Sequence, residues 1–178
     1  MLDTLITSKT RIKLLLKFFL NSNSSSYLRE LENEFGESTN GIRLELNRFE
    51  KAGLLEASSR GHRKIYRANT NHPLYHDINS ILLKYIGFDK IIENVIEKLG
   101  RLDAVYVSGA FARGIDKKII DLIFVSDQLD REYLTRLVTK VETLIDRKVR
   151  YLVYGAEEFK DYEKTLKSDE VLLLWKEL

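Results

Sequence analysis

The stretch GAFARGIDKKIIDLIFVSD, Gly109 to Asp127, joins a glycine-bounded turn to an apolar run that carries a single acid, Asp121. A turn such as Gly109–Gly114 can present successive backbone N–H groups to an anion. On a strand, residues two apart share a face, so carboxylates at positions 119 and 121 would converge. Converging carboxylates hold magnesium, which bridges phosphates and stabilises charge during in-line transfer. Position 119 is isoleucine, so one carboxylate stands where that chemistry needs several. A different chemistry is available upstream. Thr39, Asn40, Arg43, Leu44, Asn47, Arg48 and Lys51 fall on one side of an amphipathic segment, opposite the apolar stripe Ile42, Leu46 and Phe49. Asn and Arg can make bidentate contacts to adenine and guanine edges, and an apolar side chain suits a thymine methyl. Close behind comes RGHRKIYR, with Arg60, His62, Arg63 and Lys64 in a run that has no acid. Such a run suits a phosphate backbone. His72 and His76 are four apart, a spacing that can hold a metal on a helix face. A pair without a third ligand is more often surface decoration, so neither a metal nor any other cofactor is expected. With no cysteine there can be no disulfide, thiolate nucleophile or Cys-ligated zinc.

These residues need elements to position them. Residues 9–20, KTRIKLLLKFFL, place apolar side chains at helical spacing with basic residues between. The polar stretch Asn21–Ser26 ends that helix, and a second helix is expected over Tyr27–Phe35. Gly36 fits the end of it, with Ser38 or Thr39 capping a third helix over Thr39–Lys51. Ala52-Gly53 stops the third helix. Two short runs, Leu54–Ala57 and Lys64–Ala68, then read as a hairpin with Gly61 at its tip. Helix, helix, turn, helix, hairpin is the order of a winged helix-turn-helix, whose third helix enters the major groove of double-stranded DNA.

Residues 71–100 read as a helical connector, with Pro73 in its first turn, Asn71 or His72 capping and a break near Gly87-Phe88. Its apolar stripe suits packing on the second module or on a second copy of the chain, so a homodimer is expected. Beyond it, Ala104–Ser108, Ile119–Val125 and Val149–Tyr154 read as strands. Arg131–Arg147 and Glu157–Leu166 read as helices, and Val171–Trp175 is open between strand and helix. The fold class is α/β in two domains: a winged helix over 1–70, the connector over 71–100, and a small mixed-sheet domain over 101–178. Charge divides the same way. Residues 1–70 hold 12 Lys and Arg against 8 Asp and Glu, whereas the remainder holds 17 against 19. A basic first module implies an anionic partner. No apolar run approaches the roughly 20 residues of a membrane span, and no secretory signal is evident, so a cytoplasmic protein without membrane association is expected.

Two resemblances extend this reading. The segment YLRELENEFGESTNGIRLELNRFEKAGLLEASSRGHRKIYRAN resembles the winged-helix domains of prokaryotic transcriptional regulators of the arsenical-resistance-repressor type. Metal sensing by cysteines does not carry over, since the chain has none. GAFARG followed by IIDL resembles the minimal nucleotidyltransferases, whose motif is Gly-Ser-x-Ala-x-Gly, then Asp-x-Asp, then a third acid on a later strand. Gly109, Ala112 and Gly114 match that motif. The serine position is Ala110, the first acid is Ile119, the second is Asp121, and the strand for the third offers Arg150 and Leu152. Asp116 lies in the turn at the wrong spacing to substitute. The resemblance therefore implies a degenerate nucleotide site formed by Gly109, Ala110, Arg113, Gly114, Ile119, Asp121 and Arg150, a pseudoenzyme with no catalytic residue. Both modules, joined by HPLY and followed by VYGAEEF, occur together in a family of prokaryotic transcriptional regulators that this chain resembles throughout.

The expected function is a sequence-specific DNA-binding transcriptional regulator. Its second domain would dimerise, or bind a nucleotide or protein partner. The alternatives are an active minimal nucleotidyltransferase and an antitoxin-like partner of a neighbouring toxin. Asp121 is expected either to pair with a partly buried arginine, Arg150 or Arg113, in place of a metal, or to be simply hydrated with Arg150 pointing to solvent.

Overall fold

The computed structural model describes residues 2–177, and the chain divides into two units, Met1–Leu82 and Leu83–Leu178. The division falls inside the helix Tyr75–Ile86, within the segment read from sequence as a connector. The fold is mixed α/β with one sheet in each unit. Among the described residues, no helix is long and apolar enough to cross a membrane.

The first unit begins with a short helix α1 (Leu2–Leu5) and helix α2 (Lys9–Leu15), which Ser8 caps by accepting from the Arg11 amide. The helix does not stay α-helical to residue 20: Leu16–Leu20 widens into a π-helical stretch. That stretch turns Leu16, Phe18, Phe19 and Leu20 into the core together. Lys17 is buried with them and is neutralised by Glu34, 2.8 Å away. Strand β1 (Ser25–Tyr27) follows, where the polar composition pointed to a loop. Helix α3 (Leu28–Phe35) therefore starts one residue later than expected, and Gly36 ends it in the left-handed region at φ 62°. Ser38 accepts from the Gly41 amide to cap helix α4 (Thr39–Lys51), whose Ile42, Leu46 and Phe49 are buried as the stripe requires.

The hairpin is longer and tighter than its sequence indicated. Strands β2 (Leu55–Arg60) and β3 (Arg63–Ala68) pair antiparallel up to Arg60 opposite Arg63, leaving only Gly61 and His62 in the turn. Polar Ser58 and Ser59 join the strand because pairing with β3 satisfies their backbone whatever their side chains. β1 adds to the other edge of β3, giving the order β1-β3-β2. Helix α5 (Tyr75–Ile86) starts after Pro73 rather than around it. The His72 ring accepts from the Leu74 amide ahead of that start. Asn79 anchors α5 by donating to the Phe19 carbonyl, 2.7 Å away.

Gly87 breaks the helical path at φ 97°, as expected. The second unit continues as α6 (Phe88–Ile91), a π-helical stretch Ile92–Ile96 and α7 (Glu97–Leu99). Its sheet runs β6-β5-β4-β7, built from β4 (Ala104–Ser108), β5 (Ile119–Val125), β6 (Lys148–Tyr154) and β7 (Val171–Lys176). β5 and β6 are parallel and the other pairs antiparallel, and the ambiguous last run is a strand on β4. Helix α8 (Gly109–Ala112) links β4 to β5, helix α9 (Arg131–Ile145) links β5 to β6, and helix α10 (Ala156–Glu163) follows β6. α9 ends two residues before Arg147, at Asp146 in the left-handed region, and α10 ends three before Leu166. α9 packs on β6 and on the 88–96 helical segment. On the opposite face, α10 seats Phe159 over Ala104, Ile123 and Val125. It covers only part of that face, because Leu152 and Ile119 remain exposed.

Candidate functional site

In the first unit, α4 and the hairpin border a cleft of about 730 Å³. Arg43 and Asn47 enter it from α4, and His62, Arg63 and Lys64 enter from the hairpin. The sequence had placed these five on two separate elements as DNA contacts, and the structure brings them to one concavity. The remaining wall was not foreseen: Tyr27, Leu28, Arg29 and Asn33, from the end of β1 and from α3. No Asp or Glu lines the cleft. The Arg63 guanidinium lies 4.9 Å from the Tyr27 ring centre, which pre-positions a cation at the mouth.

The other α4 residues differ in their freedom. Asn40, Leu44 and Lys51 are exposed, and Leu44 is 52% exposed on the side away from the core. Thr39, in the first turn, is half-buried. Arg48 is engaged by a carboxylate. Its Nη1 donates to Glu45 at 2.7 Å, and Glu45 also receives Arg11 at 2.8 Å. Glu45 is buried, and the Arg11 hydrogen bond holds its carboxyl below the ordinary carboxylate value. Lys64 is likewise engaged, donating to Glu50 at 2.6 Å, a contact that raises its own pKa. Arg60 sits at the hairpin end of β2, directly opposite Arg63.

In the second unit the turn and strands converge on Asp121. β4, β5 and β6 bring Ser108, Asp121 and Arg150 into one row across the sheet. Arg150 Nε donates to Asp121 Oδ1 at 2.7 Å, so Arg150 is the partner of Asp121 and not Arg113, which is exposed. The pairing raises the Arg150 pKa, with the Asp121 hydrogen bond as the main cause. The two partners are unequally placed: the Arg150 side chain is 68% exposed and that of Asp121 26%. The expectation that Asp121 shields a partly buried arginine is therefore corrected. Without Asp121, the guanidinium is already in water.

Gly109 is required here on two counts. Its φ is 66°, and a Cβ would stand 2.8 Å from Asp121 Oδ2. Gly114 is also left-handed, at φ 74°. Ile119 is 39% exposed on the same face as Asp121, so an apolar side chain fills the position of the first acid. Ala110 and Ile119 line a shallow cleft with Lys117, Lys118, Asp121 and Arg150. Asp116 is committed elsewhere, to Arg147 Nη1 at 2.7 Å and the Tyr85 hydroxyl. This donor set does not fit a magnesium pair: one carboxylate, already carrying a guanidinium, is flanked by cations. Among the described residues, no three His, Asp or Glu side chains gather as metal ligands, and His72 is used at the start of α5.

No protein-family profile and no curated protein matches the chain. Solved structures similar to parts of it include a candidate nucleotidyltransferase from Sulfolobus solfataricus, 25% identical over 53% of this chain and 82% of its own, with a TM-score of 0.36. The toxin–antitoxin pair MntA-HpeT is 16% identical over 51% of this chain and 73% of the matched chain, with a TM-score of 0.39. A candidate transcriptional regulator for arsenical resistance is 19% identical over 51% of this chain and 85% of its own, with a TM-score of 0.31. Each likeness spans about half of the chain. The functional reading rests on the chain's own geometry.

Proposed function

We propose that the chain is a sequence-specific, double-stranded-DNA-binding transcriptional regulator. In this reading the first unit is a winged helix. α4 lies in the major groove with Arg43, Asn47 and Leu44 toward the bases, while Arg60, His62 and Arg63 of the hairpin follow the phosphate backbone. The observation that carries the reading is the acid-free cleft where α4 and the hairpin meet, walled by Arg29, Arg43, Arg63 and Lys64. A solvated helix face has no need of cations from three separate elements around one concavity. Genome-wide mapping of the tagged chain in its host tests this reading. The expected result is a small set of promoter-proximal sites that share a motif and are lost in the Arg43→Ala, Asn47→Ala double variant. Uniform coverage unaffected by that variant contradicts it.

The second unit, in this reading, keeps a nucleotidyltransferase-like frame without its chemistry and serves dimerisation, partner or ligand binding. Phosphoryl transfer needs metals held between carboxylates and substrate oxygens. Here Asp121 is bound to Arg150, and Ile119 and Ala110 stand where an acid and a hydroxyl would serve. Incubation with radiolabelled nucleoside triphosphates and magnesium should give no transfer above a no-protein blank. Transfer that disappears in Asp121→Ala restores the catalytic reading.

A further inference from the structure

Glu50 has no evident structural reason to be where it is. It occupies the last turn of α4, where a carboxylate opposes the helix dipole instead of complementing it. Its side chain is 35% exposed and meets Lys64, across the cleft wall on β3, at 2.6 Å. An exposed pair of this kind adds little to fold stability. Lys64 is also the only cation lining the cleft that has an acidic partner among the described residues. Arg29, Arg43 and Arg63 have none. Arg48, elsewhere on α4, is paired in the same way with Glu45.

We propose that Glu50 is a specificity-setting latch: by holding Lys64 against α4, it keeps one cation from the DNA phosphates and so limits sequence-independent affinity. The proposal rests on the DNA-binding reading above. Phosphate contacts carry affinity but little sequence information, so each cation withheld lowers binding to all duplexes alike and leaves base contacts to discriminate. In this way Glu50 opposes non-specific binding.

The test is fluorescence anisotropy of the full chain with a labelled duplex pool of mixed sequence, titrated between 50 and 200 mM salt. Glu50→Gln keeps the shape and removes the charge. It should tighten binding and steepen the slope of log K against log salt by about 0.9, the increment for one phosphate contact. That increment makes the tightening about 3.5-fold larger at 50 mM than at 200 mM salt. Lys64→Ala alone should leave the slope near wild type, and adding it to Glu50→Gln should cancel the gain. Wild-type binding with a slope that Glu50→Gln does not change overturns the latch alone. A loss of about one unit of slope in Lys64→Ala also overturns it. A wild-type chain that does not bind the pool at 50 mM salt overturns the DNA-binding reading, and the latch with it.

Discussion

Replacing Arg63 by alanine removes a cation that projects from the first residue of β3 and stacks on Tyr27. In the proposed placement Arg60 and Arg63 of the hairpin and Arg29 of the cleft wall, exposed and without acidic partners among the described residues, make three phosphate contacts for one copy. At about 0.9 per contact, the wild-type slope of log K against log salt is about −2.7, and affinity falls about 40-fold between 50 and 200 mM salt. Without Arg63 the slope drops to about −1.8, and the same change in salt costs only about 12-fold. The loss from the substitution is therefore about 3.5 times larger at 50 mM than at 200 mM salt. Because Arg63 is exposed, the fold should tolerate the change, and the thermal midpoint checks that. Anisotropy titrations on a mixed-sequence duplex pool measure both slopes. An unchanged slope in Arg63→Ala, with binding intact, would show that the hairpin does not touch phosphates and would refute the placement of the wing.

Two further outcomes concern the frame. The Arg11 hydrogen bond depresses the Glu45 carboxyl, so its contribution to stability is present above the unfolded-state pKa and disappears as pH falls through the lower folded-state value. Wild-type thermal midpoints should fall on that acid limb. Glu45→Gln should lower the neutral-pH midpoint and flatten the limb, whereas an equally steep limb in the variant would remove Glu45 from the account. Gly87→Ala forces a left-handed alanine whose Cβ meets Ile145 Cγ2 at 2.6 Å. Strain and overpacking together should cost about 2–4 kcal/mol. Chemical denaturation measures it, and a cost below about 0.5 kcal/mol, ordinary for a surface site, would mean that the break at Gly87 is not rigid.

Local signals explain what could be read from the sequence. The stripe Ile42, Leu46, Phe49 and the caps at Ser38 and Gly36 act within a few residues, and α4 lies where they put it. Arg150 could be named as one candidate partner for Asp121 because both sit on strands, but the parallel register that sets it opposite Asp121 and leaves Arg113 aside comes from the fold. The failures are non-local. Ser25–Tyr27 becomes a strand only because β3 offers it an open edge, and nothing in NSNSSS carries that information. The π-helical stretch Leu16–Leu20 meets a core demand that a helical pattern does not distinguish from an α-helix. Arg48 looked like a base-reading residue on the outward face, yet Glu45 claims it because Glu45 needs cations from both α2 and α4. The Tyr27, Arg29 and Asn33 wall of the cleft depends on how α3 meets the hairpin, and a single chain read in order does not show that.

Selection of binding sites from a random duplex library by the purified full chain tests the central claim most directly. The account predicts one enriched motif in the wild-type selection. Arg43→Ala and Asn47→Ala should each lose preference at particular positions, by about 1–3 kcal/mol for a bidentate contact. Arg63→Ala should keep the motif and weaken every sequence alike. A library that emerges without enrichment, or a motif unchanged by both helix substitutions, would contradict it.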